Sequence, residues 1–160
     1  MSTRDAPLPI APQLDGDLPR VLVVRAPYYR DVVDGLTAGA ARILHDAAAR
    51  VEIADVTGAL ELPQAIRLAV AGARPFDGYV ALGCVMRGGT DHYEHVCAQA
   101  MAGLMRVALD HALAVGNGLL TVSALDQAVA RSGADGHNKG AEAAVAALTQ
   151  IRLARRLGGA

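Results

Sequence analysis

The part of the sequence best suited to chemistry is a glycine-rich run that ends in a histidine, from Gly83 to His92. Glycines after a strand let backbone N–H groups turn toward a ligand, and the start of the following helix favours an anion. The spacing is similar to that of a nucleotide phosphate loop, but Gly89 stands where that loop requires lysine. The run therefore predicts a plain phosphate site, with a glycine-rich turn capped by Thr90 or Asp91 as the alternative.

His92 lies in the first turn of the helix that this run opens, beside the expected ligand. An imidazole there could exchange protons near neutral pH, and an exposed histidine at a helix start is the alternative. His92 and His95 are three positions apart, but nothing else in the chain offers the spacing of further metal ligands. The pattern argues against a metal site and leaves acid–base chemistry open.

Two other segments carry residues suited to binding a ring and a polar chain. Tyr28 and Tyr29 could stack on a planar ring or form only the rim of a site. Gly58 permits close backbone approach to a ligand. Glu61 either binds that ligand or is a first-turn acid favoured by the helix dipole.

A third segment, near the C-terminus, contains Arg131 and Lys139. Arg131 could hold a phosphate through two parallel hydrogen bonds, or stabilise the C-terminus of its own helix. The chain has one lysine, Lys139, and fourteen arginines, a bias that a GC-rich genome explains. These residue types favour an anionic ligand.

The elements that must position these residues alternate along the chain. Apolar runs predict strands over 21–24, 51–56, 79–82 and 118–122, and helical spacing predicts helices over 31–49, 61–73, 91–115, 124–131 and 138–157, with Gly116 as the cap of the third. This order predicts a parallel sheet with helices on both faces. Ligands bind such sheets at the carboxyl ends of the strands, where the candidate residues lie.

Composition limits the class of protein. The chain has 160 residues, 52% of them hydrophobic and 19% charged, which fits one domain with a substantial core. A formal charge of -1 argues against a general nucleic-acid binder. No apolar run approaches the roughly 20 residues of a membrane span, no signal-peptide layout is present, and two cysteines make no disulfide framework. We therefore expect a cytoplasmic protein.

The first 20 residues differ from the rest. They contain four prolines, so we predict a mobile arm over 1–20 and a single domain over 21–160. A short extended piece from Ile10 to Leu14 could add to a sheet edge, of its own chain or of a neighbour.

Taken together, the motifs match a known family. In order they are A-P-Y-Y, G-A-L-E-L-P, A-L-G-C-V-M-R-G-G-T-D-H-Y-E-H-V, G-L-L-T, Q-A-x-x-R and N-K-G-A-E. From about Val21 to the C-terminus the chain closely resembles the 6,7-dimethyl-8-ribityllumazine synthases of riboflavin biosynthesis. The resemblance implies a flavodoxin-like three-layer αβα sandwich with a four-stranded parallel sheet, and no metal or organic cofactor.

The resemblance also implies an activity and an assembly. The family condenses 5-amino-6-(D-ribitylamino)uracil with 3,4-dihydroxy-2-butanone 4-phosphate, and releases phosphate and water. Its members form homopentamers, some of which assemble into hollow icosahedral shells of sixty subunits. The active site lies between subunits, so His92 of one chain is expected to work with Arg131 of its neighbour.

Residue roles follow from the matched positions. His92 is implied as the general acid and base. The other implied contacts are Tyr28 on the pyrimidine ring, Ala59, Leu60 and Glu61 on the ribityl chain and ring, Val85 and Met86 on the pyrimidine edge, Gly89 and Thr90 at the phosphate, Arg131 on the butanone phosphate, and Lys139 at the ribityl chain or the site rim. Because the substrate supplies the attacking amine, no enzyme nucleophile is needed, which disfavours Lys139 as a Schiff-base residue.

Two positions depart from the family pattern. Many members carry an aromatic where this chain has Asn117, so ring stacking is lost on one side or a hydrogen bond replaces it. Asp135 stands where many members have lysine, in a loop that bears on the choice between pentamer and shell. Asn117 keeps open the alternative of a catalytically weak relative that binds lumazine or flavin, and a generic flavodoxin-like binding domain is a further alternative.

Overall fold

The computed structural model describes residues 7–72, 75–134 and 137–158. Its strands are β1 (Arg20–Ala26), β2 (Arg50–Asp55), β3 (Gly78–Met86) and β4 (Ala114–Val122), and its helices are α1 (Arg30–Asp46), α2 (Glu61–Val70), α3 (His92–Asp110), α4 (Leu125–Ser132) and α5 (Lys139–Arg156). The strands form one parallel sheet in the order β2-β1-β3-β4. The predicted flavodoxin-like α/β fold is thereby confirmed.

The central strands are apolar on both faces because helices cover the sheet from both sides. Residues 21–24 of β1 and 79–82 of β3 are all buried. Side chains of α1, α4 and α5 pack on one face of the sheet, and side chains of α2 and α3 pack on the other. The edge strand β2 is different, since Val51 and Ile53 remain 40% and 53% exposed.

Strand β3 runs beyond its predicted end. Its last residues, Gly83 to Met86, pair with Leu119 to Val122 of β4. Gly83 serves packing here, because a Cβ at this position would lie 2.9 Å from Leu119 Cδ1. The glycine that the sequence offered as the start of a loop is therefore inside the sheet, and Val85 and Met86 lie at its carboxyl edge.

The predicted end of α3 is wrong. Gly116 does not cap this helix but lies within β4, where a Cβ would overlap the carbonyl oxygen of Ala143. The helix ends at Asp110, and Ala112 turns the chain with φ 49°. Ala48 does the same after α1, with φ 53°. Both helix ends place an alanine in the left-handed conformation. Glycine usually occupies such positions, so an alanine there does not indicate a helix end in the sequence.

The described part of the predicted arm, residues 7–19, contains no helix or strand. Ala11 and Leu14 pack against the hydrophobic cluster that includes the buried side chains of α1 and α5. Arg155 of α5 donates a hydrogen bond of 2.7 Å to the Asp15 carbonyl. The mobility of the arm stays a prediction. In the described part of the chain, none of the helices combines the length and hydrophobicity that a membrane crossing requires.

Candidate active site

A hollow of about 390 Å³ opens where β1, β2 and β3 end. We call it the His92 hollow. Seven of the predicted site residues line it, namely Tyr28, Ala59, Leu60, Glu61, Val85, Met86 and His92. They come from four separate segments of the chain, which the parallel sheet brings to one edge.

The tyrosine after β1 presents its ring to solvent. The Tyr28 N–H donates a hydrogen bond of 2.9 Å to the Ala26 carbonyl, which turns the chain as the strand ends. Its ring meets Tyr29 edge to face, with 5.1 Å between the ring centroids. Since Tyr28 is 77% exposed, a face of the ring is free to stack on a planar ligand.

The segment after β2 is a tight turn that leads into α2. The N–H groups of Glu61 and Leu62 donate to the carbonyls of Gly58 and Ala59, at 3.2 and 3.3 Å. A Cβ at Gly58 would lie 3.1 Å from Glu61 Oε2, so the glycine gives the carboxylate room to lie over the turn. Backbone groups and a carboxylate therefore face the same hollow.

The wall formed by β3 and α3 carries the ionisable groups. His92 is the first residue of α3, and Val96, one turn later, lines the same hollow. Cys84 also lines it, and burial raises the pKa of its thiol to about 11. The thiol is therefore neutral at physiological pH and no nucleophile. Within the described ranges, no group of three or more His, Cys, Asp or Glu could hold a metal ion.

The glycine-rich run after β3 is exposed. A Cβ at Gly88 or Gly89 would meet nothing within 4 Å. Asp91 is the N-cap of α3 but makes no side-chain capping hydrogen bond, so the alternative of a turn capped by Asp91 is wrong. Gly89 and Thr90 are separated from His92 only by Asp91, but they are not among the residues that line the His92 hollow.

Backbone and side-chain contacts of Arg87 hold the chain where β3 ends. Its backbone N–H donates to the Val122 carbonyl at 2.9 Å, which ties the end of β3 to β4. Its guanidinium pairs with Glu94 and lies 4.6 Å from the centroid of the Tyr93 ring. The run is therefore held at its first residue and by the first turn of α3.

A second hollow, of about 220 Å³, lies along the edge strand β4. We call it the Arg131 hollow. It is lined by residues 117–122 together with Arg131 and Lys139. Arg131 Nη1 donates a hydrogen bond of 2.9 Å to the Gln127 carbonyl, within the last turns of α4. The Lys139 ammonium contacts both carboxylate oxygens of Glu142, at 2.8 and 2.6 Å.

Asn117 lies at one end of the Arg131 hollow with its side chain bonded inside its own chain. Its Oδ1 accepts a hydrogen bond of 3.0 Å from the Leu119 N–H, and its Nδ2 lies 3.0 Å from the Met101 sulfur. The carbonyl oxygen of the amide therefore keeps one lone pair for a ligand. One N–H of the amide group remains for a ligand. Asp135, the other departure from the family pattern, lies outside the described residues.

The structure therefore gathers ten of the twelve predicted site residues into two groups and leaves Gly89 and Thr90 outside both. The His92 hollow and the Arg131 hollow share no lining residue. Two larger hollows, of about 560 Å³ at the end of α5 and about 770 Å³ between α2 and α3, contain neither His92 nor Arg131. The chemistry of the lining residues, and not the volume of a hollow, identifies the candidate site.

Several lining residues were missed from the sequence, among them Val96 of the His92 hollow, and so was Glu142, the carboxylate partner of Lys139. Val96 stands four positions after His92, a spacing that places both on one face of a helix. Glu142 stands three positions after Lys139 and pairs with it. Helical spacing was the signal in both cases.

Comparison with known proteins gives a consistent result. A family model described as 6,7-dimethyl-8-ribityllumazine synthase matches residues 19–155. The 6,7-dimethyl-8-ribityllumazine synthase of Afipia carboxidovorans is 46% identical over 142 residues, which cover 86% of this chain and 87% of the relative. The synthase of Nitrobacter winogradskyi is 44% identical over 158 residues, or 96% of each chain. The match extends from the start of β1 into the last turn of α5, and the chain belongs to the 6,7-dimethyl-8-ribityllumazine synthase family.

Proposed function

We propose that this protein is an active 6,7-dimethyl-8-ribityllumazine synthase. It condenses 5-amino-6-(D-ribitylamino)uracil with 3,4-dihydroxy-2-butanone 4-phosphate in the penultimate step of riboflavin biosynthesis. The observation that carries this proposal is that Tyr28, Glu61 and His92, from three segments of the chain, line one hollow. That hollow combines an exposed aromatic ring, a carboxylate and an imidazole.

The reaction explains why these groups suffice. The pyrimidine substrate supplies its own amine as the nucleophile, so the neutral Cys84 thiol has no task in the reaction. Tyr28 stacks on the pyrimidine, the backbone at Val85 and Met86 contacts its edge, and residues 59–61 hold the ribityl chain. His92 moves protons during imine formation, phosphate loss and ring closure. Orientation of two bound substrates supplies much of the acceleration, up to about 7–11 kcal/mol.

The phosphate needs cations that the His92 hollow does not have among its lining residues. We assign the butanone phosphate to Arg131, with Lys139 at the ribityl chain or the rim and the backbone of Gly89 and Thr90 at the start of α3. The cations lie in the other hollow of the chain, which supports a site shared between His92 of one subunit and Arg131 of the next. Asn117 then covers the pyrimidine from the neighbouring subunit.

A neighbouring subunit also suits the surface. Leu68 of α2 and Leu109 of α3 are 73% and 72% exposed, and Leu125 and Val129 of α4 are more than half exposed. Exposed apolar side chains on several helices are typical of an interface between subunits. The proposed assembly is a cytoplasmic homopentamer, with a sixty-subunit shell as a possible larger form. Light scattering measures this directly, and a particle of 16.5 kDa at micromolar concentration would contradict it.

The activity is tested by mixing the purified protein with the two substrates. Appearance of lumazine absorbance and fluorescence is the expected result, with the synthase from a relative as the positive control. Absence of product under conditions in which the control turns over would overturn the proposal. Binding of lumazine without turnover would assign the chain to the catalytically weak class.

A further inference from the structure

One buried amide joins three helices beside the Arg131 hollow. Asn138 is 4% exposed, and its Nδ2 lies 2.9 Å from the carbonyl oxygen of Gly35 in α1. The same nitrogen lies 2.8 and 3.1 Å from the carbonyl oxygens of Ser132 and Gly133, where α4 ends. Because an amide nitrogen has two hydrogens for these three acceptors, one hydrogen is shared. The nitrogen therefore ties the end of α4 to α1.

The oxygen of the same amide has a second task. Asn138 Oδ1 accepts hydrogen bonds of 2.8 and 3.1 Å from the N–H groups of Gly140 and Ala141, as the N-cap of α5. Two donors on one side and three acceptors on the other fix which amide atom is oxygen. Capping and bridging are thus separable functions of opposite ends of one side chain.

Three glycines surround the Asn138 side chain at close contact. A Cβ at Gly39 of α1 would overlap the Asn138 amide, and a Cβ at Gly35 would lie 2.5 Å from the Ser132 carbonyl oxygen. A Cβ at Gly140 would overlap the carbonyl of Leu36. Glycines at these positions let α4, α5 and the amide approach the backbone of α1 closely. Displacement of the amide would therefore change how the helices meet.

The two cations of the Arg131 hollow are the direct neighbours of this junction. Arg131 precedes Ser132, whose carbonyl the amide binds, and Lys139 follows Asn138 itself. We infer that Asn138 is a positioning residue, which fixes the spacing between Arg131 and Lys139 and thereby the fit of the Arg131 hollow to the substrate phosphate. This inference rests on the proposed function, which gives Arg131 the phosphate.

Asn138→Ser tests the inference because serine still caps a helix but cannot reach the three carbonyls. The expected result is a KM for the butanone phosphate raised about tenfold, within the range that displaced binding groups cost. The KM for the pyrimidine should rise by a smaller factor, because most of the groups assigned to that substrate line the His92 hollow. Inorganic phosphate, used as a competing ligand, should bind more weakly by a similar factor. Gly39→Ala displaces the amide without altering Asn138 and should act in the same direction.

A double variant separates positioning from a general loss of structure. If Asn138 acts through Arg131, then Asn138→Ser has no further effect on the phosphate KM in an Arg131→Ala background. An equal factor in both backgrounds, or a lowered Tm with an unchanged KM, would overturn the inference. Ser132→Ala is the matched control, because it keeps the carbonyl that the amide binds, and its KM should match the wild type.

A failure of the proposed function gives a different result. A wild-type phosphate KM in Arg131→Ala alone would remove Arg131 from the phosphate site and would overturn that assignment. Amide hydrogen exchange then still examines the junction. Asn138→Ser should speed exchange in α4 relative to β1, and unchanged exchange in α4 would show that the amide does not hold the helix.

Discussion

The His92 hollow and the Arg131 hollow differ in both chemistry and construction. The His92 hollow is built from the carboxyl ends of β1 and β3, the segments that follow β1 and β2, and the first turns of α3, and it offers an aromatic ring, apolar walls, one carboxylate and one imidazole. The Arg131 hollow lies along an edge strand and offers a guanidinium, an ammonium and an amide. The first suits a planar ring and proton transfer, and the second suits an anion.

In the proposed shared site each of these hollows supplies one half, so that one chain contributes two half-sites. The groups of the first hollow are placed by the ends of β1, β2 and β3, as in other parallel sheets. The groups of the second are held by local partners, Gln127 for Arg131 and Glu142 for Lys139. If the halves meet between subunits, each should fail in its own way when it is damaged.

The largest expected effect comes from removing the imidazole of the first half. His92→Ala should slow product formation by about 10²–10⁴-fold, because one group serves several proton transfers. Binding of a pyrimidine analogue should persist, since the ring contacts remain. Steady-state kinetics and analogue titration measure both quantities. His95→Ala, an exposed histidine on the same helix, is the control, and a normal rate for His92→Ala would return His92 to an exposed helix-start residue.

Mixing damaged halves tests whether two subunits share a site. His92→Ala and Arg131→Ala, each strongly impaired alone, are unfolded, mixed in equal amounts and refolded. With random assembly, about one half times one half, or a quarter, of the sites receive both intact residues. Activity should recover toward that fraction of wild type. No recovery, with mixed assemblies demonstrated by mass spectrometry, would place both residues in one chain.

A smaller effect concerns the residue that departs from the family pattern. Asn117→Phe should bind the pyrimidine about two- to tenfold more tightly, because an aromatic pair contributes about 0.5–1.5 kcal/mol beyond its buried area. Isothermal titration of the lumazine product measures the change. Asn117→Leu adds apolar area without a ring and serves as the control. Equal tightening by both variants would show that area, and not stacking, is what Asn117 lacks.

The smallest effect concerns an ion pair that joins β1 to β2, two of the strands whose ends form the His92 hollow. Arg25 donates hydrogen bonds of 2.7 and 2.9 Å to the Asp55 carboxylate, which holds the pKa of that carboxyl below its usual value. Because the folded state favours the ionised form, the stabilisation is present above about pH 4 and is lost as pH falls below it. Asp55→Asn should cost about 0.2–1 kcal/mol at pH 7, a low figure because the side chain is 48% exposed.

Urea unfolding at pH 7 and pH 3 measures this loss. The free energy of unfolding should differ between Asp55→Asn and wild type at pH 7, and this difference should be smaller at pH 3. Asp17→Asn is the control, since the described residues include no ion pair to Asp17. A loss of equal size at both pH values would show that the pair does not act through its charge.

The sequence predicts the order and type of every element, because buried strands give continuous apolar runs and helices give their own period. It fails at ends that depend on packing. Gly116 had the character of a helix cap, and its actual role is contact with the backbone of α5. Ala112 ends α3 although alanine is a strong helix former. Rules based on local sequence cannot predict the contact of Gly116 or the turn at Ala112.

Site prediction has a similar limit. Motif matching located residues of both hollows, but spacing along the chain does not indicate which of them share a hollow. His92 and Tyr28 are 64 positions apart yet line one cavity, while His92 and Arg131, only 39 apart, line two. Only the strand order β2-β1-β3-β4 sets these groupings. The contact between the Asn117 amide and the Met101 sulfur was equally invisible, because Met101 belongs to a different element.

The alanines with positive φ at the ends of α1 and α3 have an evolutionary consequence. Each position is strained by about 1–2 kcal/mol in the folded state, whereas glycine there would lose only about 0.4–1 kcal/mol through the greater freedom of the unfolded chain. One base change turns any alanine codon into a glycine codon. Replacement of Ala48 or Ala112 by glycine should therefore stabilise the protein, and each replacement requires a single mutation. In a lineage that acquires a destabilising change at either hollow, such a replacement can restore stability without altering a residue that contacts substrate.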